Sequence, residues 1–267
     1  MPDYISLDEP SVLMYVFYPR RDSTPCPKNA FDLSVPVGDR VSIACRFHIG
    51  NRQWPWILFF HGNGEVVSDY DEIAPIYHER RLNLGIADYR GYGTSGGVPT
   101  LTDLSGDAQA IFEAAKKELA SRGFGDRLWI MGRSLGSISA LELAYRYPDS
   151  VQGVIIESGF CSVVRILTNL GIPAPETGLE KVDRECVKMI RKVSVPTLIM
   201  HGERDTLVPV KEAKDLYRDL GSKRKDLLII PAADHNNIMM VGFKKYFDAL
   251  EHFVWKSGSY TATSKND

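Results

Sequence analysis

The sequence predicts an α/β chain with a mostly parallel central sheet, an antiparallel N-terminal hairpin, helices on both faces and a small cap-like excursion. Three observations carry this prediction. Short, continuous apolar runs at residues 57–60, 84–87, 128–131, 154–156, 197–200 and 227–230 suit strands buried on both faces of a parallel sheet. Helical patterns separate most of these runs, and strand–helix alternation folds into parallel strands joined by crossover helices. Ahead of them, residues 31–37 and 41–47 alternate apolar and polar about Gly38-Asp39, the pattern of an antiparallel hairpin with one wet face.

In chain order, residues 1–30 form an N-terminal strap. Within it, apolar residues 12–17 are read as a strand or as an apolar strap laid over the domain, and the stretch from Pro25 to Pro27 as a turn. Residues 31–256 form one domain, a routine size for a single α/β unit in a chain of 267 residues. The clearest helix, 101–122, sets Leu104, Ala108, Ile111, Ala115 and Leu119 on one face and closes at Gly123. Residues 135–147 are apolar-periodic and stop at Pro148. A further helix, 210–220, ends at Gly221; the last, about 241–255, turns Phe243, Phe247, Leu250 and Val254 inward. The run from Leu170 through Pro175 is too rich in Gly and Pro for one helix, so about 160–194 is read as a cap-like excursion of two short helices. Residues 257–267 are small and polar and read as a flexible tail.

A net charge of −2 and a pI near 6.3 leave no electrostatic footprint for nucleic acid or an anionic membrane. No apolar run approaches the roughly 18 residues of a membrane span. Residues 12–18 are apolar but short and follow Asp3, Asp8 and Glu9, which is not the start of a secretory signal. Cys26, Cys45, Cys161 and Cys186 are scattered, with no Cys-x-x-Cys, so they read as thiols in a reducing compartment and the expected location is cytoplasmic.

Ligands of an open parallel sheet bind at the carboxyl ends of its strands, so residues just after each apolar run are the candidates. After 128–131 comes Gly132-Arg133-Ser134-Leu135-Gly136, a Gly-x-Ser-x-Gly pattern between a strand and a helix. A serine at the tip of so sharp a turn is strained, with its hydroxyl exposed, and Gly132 and Gly136 fit where side chains would crowd the turn. Serine alone is a poor nucleophile; it needs a base, and the base needs a group to orient it. Asp205 follows the 197–200 run and His235 the 227–230 run, each at a strand end and in the order Ser, Asp, His. After 57–60 comes His61-Gly62-Asn63-Gly64-Glu65, whose glycines let backbone N–H groups approach a ligand. Asp88 through Gly97 lacks the order of a phosphate loop and reads as a structural turn, with Arg90 in a supporting hydrogen-bond or ion-pair role.

Taken together, these motifs resemble the α/β-hydrolase superfamily over nearly the whole chain. His61-Gly62-Asn63-Gly64, Asp88-Tyr89-Arg90-Gly91-Tyr92-Gly93-x-Ser95 and His201-Gly202-x-x-Asp205-x-x-Val208-Pro209 resemble its Bem46 and ABHD13/ABHD17-like branch of serine hydrolases. The resemblance implies the α/β-hydrolase fold and a cofactor-free, metal-free cleavage of a small-molecule carboxylic ester or acyl thioester through an acyl-enzyme. It gives Ser134 the role of nucleophile, His235 that of base and then acid, and Asp205 that of the carboxylate fixing the imidazole. The oxyanion would be held by the backbone N–H groups of Asn63 and Leu135. The Asn63 side chain is then expected to be dispensable, with Gly64 an alternative donor. Gly64, Tyr92, Cys161 and Leu207 are expected around the pocket.

Rival readings stand beside these. Glu157, at the end of the 154–156 run, is the other candidate acid, whereas Asp234 is expected to point away from the site. Of the six histidines, His61 and His201 read as structural, His48 and His78 as surface positions, and His252 as solvent-facing in the last helix. An aminopeptidase or amidase of the same fold is the alternative activity; its amine-binding carboxylates would come from Glu176, Glu180, Asp183 or Glu185. A non-catalytic binding module would be expected to lack part of the Ser–His–Asp set, which this chain retains.

Overall fold

In the computed structural model, residues 1–38, 40–172 and 178–257 are described; Asp39 of the expected hairpin turn, residues 173–177 of the excursion and the tail 258–267 lie outside them. Among the described residues, eight strands form one sheet: β1 (Ala30–Gly38), β2 (Val41–His48), β3 (Trp56–Phe60), β4 (Asn83–Ala87), β5 (Leu128–Arg133), β6 (Val154–Glu157), β7 (Thr197–Gly202) and β8 (Lys225–Ile230). Their order is β1-β2-β4-β3-β5-β6-β7-β8. The β1/β2 and β2/β4 pairs are antiparallel and all others parallel. The chain thus changes direction across the sheet at β3, which has β4 on one side and β5 on the other. The crevice beyond the strands at such a reversal is where this class of sheet binds ligands.

Continuous apolar strands are buried on both faces because both faces are covered. Leu58, Phe60, Ile130, Val154, Ile156 and Ile199 point into one core and Ile57, Phe59, Trp129, Met131, Ile155 and Leu198 into the other. Helix α1 (Pro10–Val16) lies in the N-terminal strap, and α2 (Ala74–Glu79) follows the turn after β3. Next come α3 (Leu101–Ser121), α4 (Ser137–Arg146), α5 (Val163–Asn169), α6 (Leu179–Ile190) and α7 (Val210–Asp219). The chain closes with α8 (Ile238–Val241) and α9 (Phe243–Ser257). The strap, α3, α4, α6 and α7 pack on the first core, and α2 and α9 on the second. The inward face expected for α3 is buried throughout. α5 and α6 both fall within residues 160–194.

Four expectations change. Residues 12–16 are helical, not a strand, and Phe17 caps the helix in extended conformation: Pro10 sits in the first turn, where a missing N–H costs nothing, and Val12 and Val16 face the core. The helix after Ser134 opens with a 3-10 turn, Ser134–Gly136, before α4 begins. His48 is buried, its ring set against Asp71 at 3.4 Å; burial, reinforced by the neighbouring Arg46 charge, lowers its pKa to about 4. Phe243, at the start of α9, is 43% exposed while Phe247 is 0% exposed, so the inward stripe begins one turn later than the periodicity suggests and includes Tyr246 and Phe253. Phe247→Ala is therefore expected to cost about 3–5 kcal/mol, and Phe243→Ala less than about 1 kcal/mol, in denaturant unfolding.

Candidate active site

The site begins with the register of β3 and β5. Phe60 pairs with Gly132, so the turns that leave these two strands emerge side by side. Ser134 sits at the tip of the second turn with φ of 50°, a left-handed conformation that costs a non-glycine residue roughly 1–3 kcal/mol. The turn is too tight for side chains at its flanks. A Cβ on Gly136 would lie 2.0 Å from the Phe60 carbonyl oxygen, and one on Gly132 would lie 2.4 Å from that of Gly136.

Three side chains from three strand ends meet there. His235 Nε2 is 3.0 Å from Ser134 Oγ, and His235 Nδ1 is 2.7 Å from Asp205 Oδ2. The second Asp205 oxygen accepts from the N–H groups of Leu207 (3.0 Å) and Val208 (2.8 Å), which fixes the orientation of the carboxyl group. With a carboxylate at Nδ1, that nitrogen carries the proton and Nε2 is left as an acceptor for the serine hydroxyl. His201 packs beside this pair, donating from Nε2 to the Val208 carbonyl (2.7 Å); burial lowers its pKa and keeps it neutral. Asp234 accepts from the N–H groups of Asn236 and Asn237 and shapes the loop carrying His235.

Glu157 is placed elsewhere. One oxygen pairs with Arg133 (3.0 Å) and the other accepts from the Tyr246 hydroxyl (2.5 Å). Arg133, the variable residue before Ser134 in the motif, was not singled out by its sequence. It pairs with Glu65 as well as Glu157, and donates to the His235 carbonyl (2.9 Å) and to Asn236 Oδ1 (3.2 Å). Glu65 in turn accepts from Gly62 N–H (2.7 Å) and the Tyr70 hydroxyl (2.7 Å). One guanidinium therefore ties the turn after β3, the end of β6 and the His235 loop together. Burial works against its charge, but Glu65 and Glu157 outweigh burial and hold its pKa above the ordinary arginine value.

Under the turn after β3, His61 faces an acceptor with each ring nitrogen, the Gly62 carbonyl at 2.7 Å and Asp88 at 3.1 Å. Burial acts to lower its pKa, yet the bond to Asp88 and that neighbour's charge prevail and leave it raised, consistent with an imidazolium donating from both nitrogens. Arg90 forms a two-pronged pair with Asp107 on α3 (2.8 and 2.9 Å).

A cleft of about 530 Å³ opens over Ser134. Its walls include Asn63, Leu135, Phe160, Val163, Ile166, Leu167 and Leu207, together with Tyr15, Val16 and Tyr18 from the strap. Of the residues expected at the pocket, Leu207 lines it. Tyr92 is buried behind Asn63, its hydroxyl donating to Asn63 Oδ1 (2.6 Å). Gly64, at φ of 79°, and Cys161 are not among the lining residues. Cys161 is buried, and burial pushes its thiol up to about 12. No carboxylate is among the described residues lining the cleft. Glu180 pairs with Arg184, Asp183 with Arg165, and Glu185 accepts from Asp3 N–H, while Glu176 lies outside the described residues. Among the described residues, no group of three or more His, Cys, Asp or Glu could hold a metal ion, and no helix is long and apolar enough to cross a membrane.

The sequence profile of the serine aminopeptidase S33 group (Hydrolase_4) matches residues 54–175 and 177–239. The chain is 26% identical over 219 residues to protein Bem46 of Schizosaccharomyces pombe, spanning 79% of this chain and 70% of that protein. It is 28% identical over 211 residues to the human alpha/beta hydrolase domain-containing protein 17B, spanning 74% of this chain and 65% of that one. An esterase of Pyrococcus furiosus superposes with a TM-score of 0.72 at 17% identity, over 89% of this chain and 98% of the esterase, a likeness of fold.

Proposed function

The chain belongs to the serine aminopeptidase S33 (Hydrolase_4) family of α/β hydrolases, on its Bem46-like branch, and we propose that it is a serine hydrolase that cleaves carboxylic esters or acyl thioesters. The observation that carries the proposal is the hydrogen-bonded row of Ser134, His235 and Asp205 at the base of an apolar cleft. Ser134 Oγ attacks the acyl carbon while His235 Nε2 takes its proton, and Asp205 stabilises the imidazolium that forms. The tetrahedral oxyanion is held by the main-chain N–H groups of Asn63 and Leu135; one such donor contributes about 10²–10³ in rate. The C–O or C–S bond breaks as His235 returns the proton to the leaving alcohol or thiol. Water, deprotonated by the same imidazole, then releases the acid and restores Ser134.

Among the described residues lining the cleft most are apolar and none is a carboxylate, which favours an uncharged acyl group over a free α-amine, since the amine needs a counter-charge once it is taken out of water. That favours the ester and thioester reading over the aminopeptidase reading that the family's description suggests. In domain terms the reading is a strap of about residues 1–30, one catalytic domain over 31–256 capped by the 160–194 excursion, and a tail; the free thiols of Cys26, Cys45, Cys161 and Cys186 are in keeping with a cytoplasmic location.

The test is a substrate series: p-nitrophenyl esters from acetate to palmitate, matched acyl thioesters, and aminoacyl p-nitroanilides. Esters or thioesters are expected to show the higher kcat/KM by at least about tenfold. A kcat/KM that is highest on an aminoacyl amide would overturn the proposal in favour of peptidase chemistry.

A further inference from the structure

The Asn63 side chain, expected to be dispensable, is hydrogen-bonded at both of its polar atoms. Its Nδ2 donates to the Val16 carbonyl at 2.7 Å. Its Oδ1 accepts from Tyr18 N–H at 2.9 Å and from the Tyr92 hydroxyl at 2.6 Å. The Tyr92 hydroxyl also accepts from Tyr18 N–H, at 3.0 Å. One amide is thus knotted between the main chain of the N-terminal strap and a fully buried tyrosine. Next to it, Arg20 of the strap donates to the Gly64 carbonyl (3.2 Å) and pairs with Asp69.

The strap is itself anchored at several points. Leu7, Val12, Val16 and Phe17 are in the core. Asp8 accepts from Leu101 N–H at the start of α3 (2.8 Å), and Gly93 N–H donates to the Arg20 carbonyl (2.8 Å). A segment so fixed can hold a turn in place. The turn concerned, residues 62–64, is rich in glycine and carries the Asn63 N–H. Glycine-rich backbone loses the most conformational freedom when it is ordered, so a donor on such a turn needs outside partners to stay aimed.

We infer that the N-terminal strap is a working part of the active site: through the side-chain amide of Asn63, and with Tyr92 as a positioning residue behind it, the strap aims the Asn63 N–H at the oxyanion, while Tyr15 and Tyr18 supply one wall of the acyl cleft. This rests on the serine-hydrolase reading. It assigns a role to residues 10–21 that no motif in them announces, and it puts the catalytic donor under the control of a segment about 45 residues away in sequence.

Wild type, Asn63→Ala and Tyr92→Phe are compared on p-nitrophenyl acetate and with a trifluoromethyl ketone, whose adduct with the nucleophile places an oxyanion on the same donors. Asn63→Ala is expected to lower kcat on the order of 10²-fold with KM within about threefold, and to weaken the ketone by a factor similar to the loss in kcat. Tyr92→Phe removes one hydroxyl and is expected to lower kcat on the order of tenfold, with a parallel weakening of the ketone. Should Asn63→Ala not fold, Tyr92→Phe decides by itself. Folded variants that keep kcat within about twofold of wild type, or that raise KM while ketone affinity stays put, overturn the inference. A wild type that turns over neither the ester nor a matched acyl thioester overturns the hydrolase reading and takes this inference with it; a turning-over wild type matched by both variants removes only the strap's role.

Discussion

Ser134→Ala is expected to abolish labelling by a fluorophosphonate probe and to lower p-nitrophenyl acetate turnover on the order of 10⁴–10⁶-fold. The probe reacts when a serine oxygen displaces fluoride from phosphorus, which requires a hydroxyl with a base in reach, and His235 Nε2 lies 3.0 Å from this one. His235→Ala is expected to be about as damaging, because the two groups act as one unit. Asp205→Asn keeps the shape but cannot hold the Nδ1 proton as an anion does, and a loss on the order of 10⁴ in kcat is expected. Glu157→Gln is the control acid, since Glu157 is bound to Arg133 and Tyr246 and not to His235. Labelling that persists in Ser134→Ala would remove the nucleophile assignment. Greater damage to kcat from Glu157→Gln than from Asp205→Asn would move the acid to β6.

Arg133→Met should produce the largest loss of stability at the site, about 3–5 kcal/mol, or very roughly 10 °C in Tm. The change removes the cation facing Glu157, which is buried, and Glu65, which is partly exposed. Burial already raises the pKa of Glu157, and Arg133 opposes that rise. A carboxyl whose folded pKa lies above its unfolded value binds more protons when folded. Its contribution is therefore most favourable below the ordinary glutamate value and is lost as pH rises through the raised folded value. Without Arg133 the folded value climbs further and the loss deepens. The variant should then lie closer to wild type in thermal unfolding at pH 5 than at pH 8, and Arg133→Met combined with Glu157→Gln should recover part of the deficit at pH 8. A Tm within about 2 °C of wild type at pH 8, or an equal deficit at both pH values, would show that the network does not carry this load.

The sheet was legible because its evidence is local. Each strand from β3 to β7 is a short apolar run, and burial on both faces demands that composition. The turn at Ser134 was legible for the same reason: a Cβ at Gly132 or Gly136 has nowhere to go, so the backbone dictates the residue. Phe243 departs from the expected inward stripe because helical spacing gives a stripe but not where contact along it starts, and α9 meets the core only from Tyr246 onward. His48 departs from its expected surface position because alternation along β2 does not say what covers each face of the sheet, and the His48 ring meets Asp71, 23 residues on.

What the sequence by itself determined is the architecture and the order of Ser134, Asp205 and His235 after β5, β7 and β8, since strand burial and tight turns are set by each residue and its near neighbours. What only the tertiary structure decided is which groups those residues face. Asp205 rather than Glu157 meets His235; Arg133 reaches Glu65 across 68 residues; and the strap, a helix where a strand was the alternative, ties itself to Asn63. Charge pairing and hydrogen bonding depend on distances of a few ångströms through space, and spacing along a chain does not contain those distances until the sheet has brought its strand ends together.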